Sequence, residues 1–219
     1  MAAEQYTAWE VKMKIYILRH GETDSNVKKI AQGRSNVPLN KNGRDLAVLT
    51  GQGIKGIRFD HCISSPLVRA RETAKLVLEE SGNDIPIVID DRIIEIDFGE
   101  KEGKSLTEMT DTDYLFYKDP LQHPGFPGGE AITDVCKRTQ AFLNELIAKD
   151  DGKTYLISTH GCAMRAMTNF LFDDPANFWR GHAPYNCSFT IIDAVNGAAT
   201  ITDVDKVYYD PDLVVDLFK

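Results

Sequence analysis

Met13-Lys14-Ile15-Tyr16-Ile17-Leu18-Arg19-His20-Gly21 is the stretch on which the reading of the fold turns. Its first six residues are apolar apart from one lysine and rich in β-branched and aromatic side chains, the composition of a buried strand. The run stops at Arg19-His20-Gly21, so a strand opens directly into a polar loop. Further strand candidates are Phe59 to Ser64, Ile85 to Ile89, Thr154 to Ser158, Ser188 to Asp193 and Ala198 to Val204. Helix-like stretches lie between them. Leu46 to Leu49 sits in one, and Pro66 to Glu80 forms another with Pro66 in its first turn. Gly129 to Lys149 is the longest, with Val135, Phe142, Leu143 and Leu146 spaced for one buried face. Gly161 to Phe172 follows directly on a strand.

Strands alternating with helices predict an α/β layer fold with a mostly parallel sheet. Val195-Asn196-Gly197 separates the last two strands with an Asn-Gly hairpin signal, so one edge is expected to be antiparallel. From about 100 to 129 the alternation breaks. That segment is rich in Asp, Pro and Gly and contains Tyr114, Phe116 and Tyr117, which predicts an insertion over the rest of a single domain spanning 1–219.

Composition narrows the function classes. With 33 acidic and 25 basic residues the net charge is −8, the wrong sign for a nucleic-acid or anionic-membrane binder, so any anionic ligand must meet a local cluster of cations. Cys62, Cys136, Cys162 and Cys187 form no CxxC and are expected to be free thiols. After Met1-Ala2-Ala3-Glu4, the first apolar run, Ile15 to Leu18, is too short and too late for a signal-peptide core. No stretch approaches the roughly 18 apolar residues of a membrane helix. A cytoplasmic protein is the expectation.

Ligands of open α/β sheets bind beyond the carboxyl ends of the strands. Three such ends carry unusual polar residues: Arg19-His20-Gly21, Ser64-Ser65-Pro66 with Arg69, and Thr159-His160-Gly161. Two histidines and two arginines are thus able to converge on one rim. A neutral imidazole is a competent nucleophile toward phosphorus. Arginine neutralises the phosphate through paired charge-assisted hydrogen bonds, and its charge disfavours imidazolium, which keeps the nucleophile unprotonated. A proton donor for the leaving oxygen is also required. Glu95, flanked by Ile93, Ile94 and Ile96, has neighbours expected to suit a general acid. A His-Gly pair after one strand is equally well a structural loop; two of them with Arg69 favour catalysis.

These blocks resemble the histidine phosphatase superfamily, in the branch that includes the cofactor-dependent phosphoglycerate mutases, over Lys14 to about Ile192. Arg19-His20-Gly21-Glu22-Thr23 is similar to the family signature, with His20 matching the phosphorylated nucleophile and Asn26 a phosphate-contacting asparagine. Gln32-Gly33 through Pro38-Leu39-Asn40 and Gly43 resembles the segment that follows. Ser64 to Ala74 resembles the second motif, in which Arg69 binds phosphate. Glu95 occupies the proton-donor position, and Phe98-Gly99 with Glu102-Gly103 completes that block. Thr159-His160-Gly161 resembles the closing motif, with His160 and the Gly161 amide at the phosphate. The resemblance implies a three-layer α/β/α sandwich and a phosphohistidine mechanism with no metal and no cofactor. Arg19, Arg69, His160 and Asn26 would hold a small-molecule phosphate ester while His20 attacks and Glu95 protonates the departing alcohol.

Spacing excludes the competing motifs. Gly99 to Ser105 has one residue too few between its glycines for a P-loop. Six residues separate Cys62 from Arg69 and two separate Cys162 from Arg165, and neither loop fits a cysteine phosphatase. Ser158 lacks the flanking glycines of a nucleophile elbow. Arg71 is expected on the surface and His61 in a structural role; His123 and His182 are loop histidines expected to be solvated, with His123, in the insertion, able to touch substrate. Asp111, Asp113 and Asp119 read as a solvated acidic face. Ile96 and Leu106 stand where the mutases carry cations, which favours hydrolysis of phosphate monoesters. A phosphoglycerate mutase and a non-catalytic phosphate-ester-binding regulator are the alternatives.

Overall fold

The computed structural model describes residues 12–106 and 110–214, apart from the side chains of residues 111 and 112. The reading of Met1 to Glu4, and that of Asp111 as part of an acidic face, lie outside the described residues. The elements run in the order β1 (Met13–Arg19), α1 (Asp24–Val27), α2 (Lys41–Gly53), β2 (His61–Ser64), α3 (Val68–Ser81), β3 (Ile87–Ile89), α4 (Asp111–Lys118), α5 (Ile132–Ile147), β4 (Thr154–Thr159), α6 (Gly161–Thr168), β5 (Phe189–Val195) and β6 (Ala198–Lys206). Short 3-10 turns punctuate the loops.

The strands form a sheet of order β3-β2-β4-β1-β5-β6. Its first four strands are mutually parallel, and β5 runs antiparallel to both β1 and β6. Alternation of side chains along β1 supplies both faces. Tyr16 and Leu18 pack with Leu46 and Ala47 of α2 and Ala74, Val77 and Leu78 of α3. Met13, Ile15 and Ile17 pack with Phe142, Leu143 and Leu146 of α5 and Met164 and Met167 of α6. A strand buried on both faces is what a helix layer on each side of the sheet requires.

All the strand candidates form, with shifted ends that have local causes. β2 begins at His61 because the Phe59 N–H is taken by the Asn83 side chain, and β3 loses its start because Pro86 has no ladder donor. The hairpin turn is Asn196-Gly197, both at positive φ (53° and 73°), as a two-residue turn of this hand demands. α3 starts at Val68 rather than Pro66: Ser65 and Pro66 carry the chain off β2, and Leu67 is the extended N-cap.

Among the described residues of the 100–129 segment there is a helix that its composition does not predict. This is α4, which starts on a capping box between Thr110 and Asp113. Asp113 is therefore not a solvated acid: it is buried, caps the helix and takes a 2.6 Å bond from Lys101 Nζ. No helix among the described residues is long and apolar enough to cross a membrane.

Candidate active site

Sheet register brings the three polar strand ends together. Arg19 pairs with Thr159, and Ser64 with Ser158, so residues 20, 65 and 160 leave adjacent parallel strands at one rim. The His20 N–H bonds the Thr159 carbonyl, and the Ser65 N–H bonds that of Ser158. Gly21 follows because α2 passes against it: a Cβ there would lie 2.5 Å from the Gly43 carbonyl oxygen. Its amide donates to Thr73 Oγ1 of α3, in the helix that carries Arg69.

The rings of His20 and His160 are both buried. His20 Nδ1 lies 2.7 Å from the Gly21 carbonyl, which can only accept, so Nδ1 holds the proton and Nε2 has a free lone pair. His160 Nε2 lies 2.7 Å from Ser65 Oγ, whose other bond is accepted from the Leu67 amide. The Ser65 hydroxyl proton has no other acceptor among the described residues, so it goes to Nε2 and His160 carries its own proton on Nδ1. Burial, then the charges of Arg69 and Arg19, hold His20 well below the usual histidine range; His160 is held down first by burial and then by Arg69. Both are neutral at pH 7.

Arg69 anchors two of its nitrogens on the carbonyls of Ser35 and Gly33, each at 2.7 Å. The 33–35 loop is in turn gripped by Glu102, which accepts from the Arg34 amide and Ser35 Oγ at 2.6 Å each. Arg19 donates to the Pro184 carbonyl. Burial lowers both guanidinium groups to about 10, so they stay charged at neutral pH. Three buried nitrogens are then left without partners: Arg19 Nε, Arg69 Nε and His160 Nδ1. The Gly161 amide also has no partner among the described residues, and a Cβ on Gly161 would lie 3.5 Å from Arg19 Nε. Buried donors without acceptors are costly unless a ligand supplies them. Donors from three separate stretches of chain, carrying two positive charges, fit a tetrahedral oxyanion.

Asn26 completes this end. Its Oδ1 accepts from Thr23, through both amide and hydroxyl, and from Asn186, which leaves the NH₂ for a ligand. Glu95 is buried and lines the same cavity. Its setting is not the apolar one expected from Ile93, Ile94 and Ile96. Oε1 accepts from Ile96 and Ala163 amides, at 3.0 and 2.9 Å, and Oε2 from the Cys162 amide at 3.2 Å, so the carboxylate rests on the start of α6. The nearby acids Asp97 and Glu100 do not line the cavity.

The cavity is about 630 Å³. Arg19, His20, Asn26, Arg69, Glu95 and Gly161 line its inner end, while His160 backs it from full burial. Tyr114, Phe116 and Tyr117 of α4 form part of the outer wall. Other sequence expectations sort cleanly. His123 is buried between Phe116 and Phe126 and does not reach the cavity. His61 is stacked on Tyr155, Arg71 is exposed, and His182 stacks on Tyr185. Leu106 lines the cavity, whereas Ile96 is fully buried in the core beside Phe116 and says nothing about charge at the substrate.

Several supporting residues escaped the sequence reading. Arg138 of α5 donates to the carbonyls of Arg92, Ile94 and Glu95 and so fixes the strand-like segment that presents Glu95. Asn186 donates to the His20 carbonyl, and Tyr209 holds Asn186 through its carbonyl. Arg165 and Asp205 form a buried ion pair at 2.6 Å, and Asp205 helps keep Arg19 charged. Each acts on backbone or on another charge, and none carries a motif.

The model of the histidine phosphatase superfamily (branch 1) matches residues 15–206. The chain belongs to that superfamily. It is 29% identical over 184 residues to a probable phosphoglycerate mutase GpmB of Salmonella choleraesuis, covering 83% of this chain and 85% of the relative. Among solved structures, YhfR of Bacillus stearothermophilus superimposes with a TM-score of 0.82 and 30% identity over 89% of this chain and 98% of that one. A phosphoserine phosphatase of Entamoeba histolytica, solved with phosphoserine, gives 0.76 and 27% over 89% and 97%. The superfamily thus includes proteins named as mutases and as phosphatases at similar distance. For a histidine phosphatase the mixed six-strand sheet with helices on both sides is the shared framework, and in this chain His20 and His160 are buried beside Arg19 and Arg69 at its carboxyl rim.

Proposed function

We propose that this chain is a phosphatase that hydrolyses small-molecule phosphate monoesters through a phosphohistidine on His20. The observation that carries the reading is the trio of buried, partnerless donors on Arg19, Arg69 and His160 beside an imidazole whose Nδ1 is committed to Gly21. A phosphoryl group held by these donors, the Asn26 NH₂ and the Gly161 amide faces the His20 Nε2 lone pair. Nε2 forms the bond to phosphorus as the ester P–O bond breaks, and Glu95 gives its proton to the leaving alcohol oxygen. Oε2, with the single longer bond, is the atom assigned to carry that proton. Water then loses a proton to Glu95 and displaces His20 from phosphorus, which releases inorganic phosphate. Positioning and fixed charge supply most of the rate, as in other phosphoryl transfers.

The 100–129 segment serves in this reading as an insertion that walls the site within one domain, no metal takes part, and four free thiols accord with a cytoplasmic setting. Release of phosphate from a panel of esters in the presence of chelator, lost in His20→Ala, is the expected outcome. No turnover of any ester by the unaltered protein points instead to a binding-only regulator. The mutase reading rests on the mutase-named relative and on two lysines, Lys29 and Lys118, that line the outer cavity. Interconversion of the two monophosphoglycerates, primed with a bisphosphoglycerate, at a rate matching hydrolysis decides for it.

A further inference from the structure

The outer cavity differs from its inner end. Beyond the donors and Glu95, the wall is built of Phe98, Tyr114, Phe116, Tyr117, Phe178 and Trp179. These come from three stretches of chain that are tied into one surface. Trp179 Nε1 donates to the Phe116 carbonyl at 2.9 Å, the Tyr117 and Trp179 rings stack with an interplanar angle of 26°, and Phe98 meets Phe116 edge-on. Pockets of roughly 300–1,000 Å³ hold drug-sized ligands, and a three-carbon phosphoacid would leave much of this 630 Å³ space and its aromatic wall wetted.

Charge at the mouth is one-sided as well. Glu95 is the sole carboxylate among the described lining residues, set against Arg19, Arg69, Lys29 and Lys118. Two of these cations serve the phosphoryl group. Lys29 and Lys118 have no ion pair among the described residues, in a chain whose net charge is −8. Unpaired lysines on the rim of an apolar pocket are placed to meet a second anionic group on the ligand.

We infer that the ester hydrolysed here has an alcohol with a flat apolar body, such as an aromatic ring, that ends in a second anionic group. This rests on the phosphatase reading above and adds the identity of the leaving group. Stacking on the aromatic wall binds the ring, and the rim lysines select the far charge.

The test uses three esters with alkyl leaving oxygens of matched basicity: propyl phosphate, 3-phenylpropyl phosphate and 3-(4-carboxyphenyl)propyl phosphate. kcat/KM is expected to rise more than tenfold from the first to the second and about threefold or more again to the third. In Lys118→Ala, whose side chain is exposed, the step from second to third shrinks; in Tyr114→Ala, also exposed, the step from first to second shrinks. Trp179→Ala is expected to reduce that step further. Turnover of propyl phosphate or phosphoserine equal to that of the aromatic esters overturns the leaving-group assignment while leaving hydrolysis intact. Calorimetric binding of the corresponding phosphonates separates the two failures. If no ester turns over but the phenylpropyl phosphonate still binds more than tenfold tighter than the propyl one, the pocket assignment stands and the phosphatase reading falls. Equal phosphonate affinities overturn the pocket assignment itself.

Discussion

The rings of His20 and His160 lie 5.2 Å apart, centroid to centroid, with planes inclined at 58°. Two imidazoles so close, buried between two guanidinium groups, form a site with no room for a further positive charge. Neutrality is therefore built into both His20, the proposed nucleophile, and its neighbour, and it is imposed by burial and by the groups that would bind phosphate.

That neutrality has a measurable signature in stability. Both histidines titrate well below 6.5 in the folded chain, whereas the unfolded chain takes up protons near 6.5. Below that pH the unfolded state binds more protons, so folding stability falls as pH drops from about 7, by up to about 1.4 kcal/mol per pH unit for each histidine. Chemical denaturation of ligand-free protein between pH 7 and 5 is expected to show this slope, and His160→Gln is expected to reduce it. An unchanged slope in the variant would show that His160 takes up its proton as readily in the folded chain as in the unfolded one.

Ser65 sets which nitrogen of His160 bears the proton. Ser65→Ala leaves Nε2 without its donor and frees the ring to adopt the other tautomer, which turns a lone pair toward the phosphoryl oxygens. A loss of about ten- to a hundredfold in kcat/KM is expected, with restoration in Ser65→Thr if its hydroxyl takes the same place. Wild-type kinetics in Ser65→Ala would remove the serine from the site.

Arg69 is bound by geometry as much as by charge. Arg69→Lys keeps a cation but cannot span the Gly33 and Ser35 carbonyls while presenting a third donor inward. kcat/KM is expected to fall about a hundredfold or more, seen by steady-state kinetics, with inorganic phosphate losing its protection against thermal unfolding. Retention of both quantities would mean that phosphate binds elsewhere.

Glu95→Gln separates the proton donor from the charge cradle. With an alkyl ester, kcat is expected to drop by about 10² to 10⁴; with an ester of a strongly acidic phenol, whose oxygen departs without a proton, the loss is expected to be much smaller. Equal losses on both esters would assign Glu95 a role in holding the fold of the α6 start, where it takes the Cys162 and Ala163 amides.

Much of this was legible in the chain because the strands are buried on both faces and end in abrupt polar motifs. Met13 to Leu18 and Thr154 to Ser158 read as strands for that reason, and the residues after them, His20 and His160, meet because parallel neighbours share a carboxyl rim. What stayed hidden acts through backbone. Arg138 binds three carbonyls that are identical in every sequence, and Glu102 grips the 33–35 loop through a backbone amide and a serine hydroxyl, a contact 67 to 68 residues apart in the chain that no local pattern announces. The α4 helix was missed because its Asp and Tyr content resembles that of a loop; the Thr110–Asp113 box was the signal available. The surroundings of Glu95 were misread for a related cause: Ile93 and Ile96 point into the core, and the carboxylate turns toward amides far along the chain.

The central claim is covalent chemistry at one imidazole. Rapid quench into base during turnover of a phosphate ester, followed by proteolysis and mass spectrometry, reads it directly, since phosphohistidine survives alkali. A phosphoryl group on the peptide bearing His20, formed within one turnover and lost at the steady-state rate, is the expected result. Full turnover with no phosphorylated peptide at any quench time, or with the group on another residue, contradicts it.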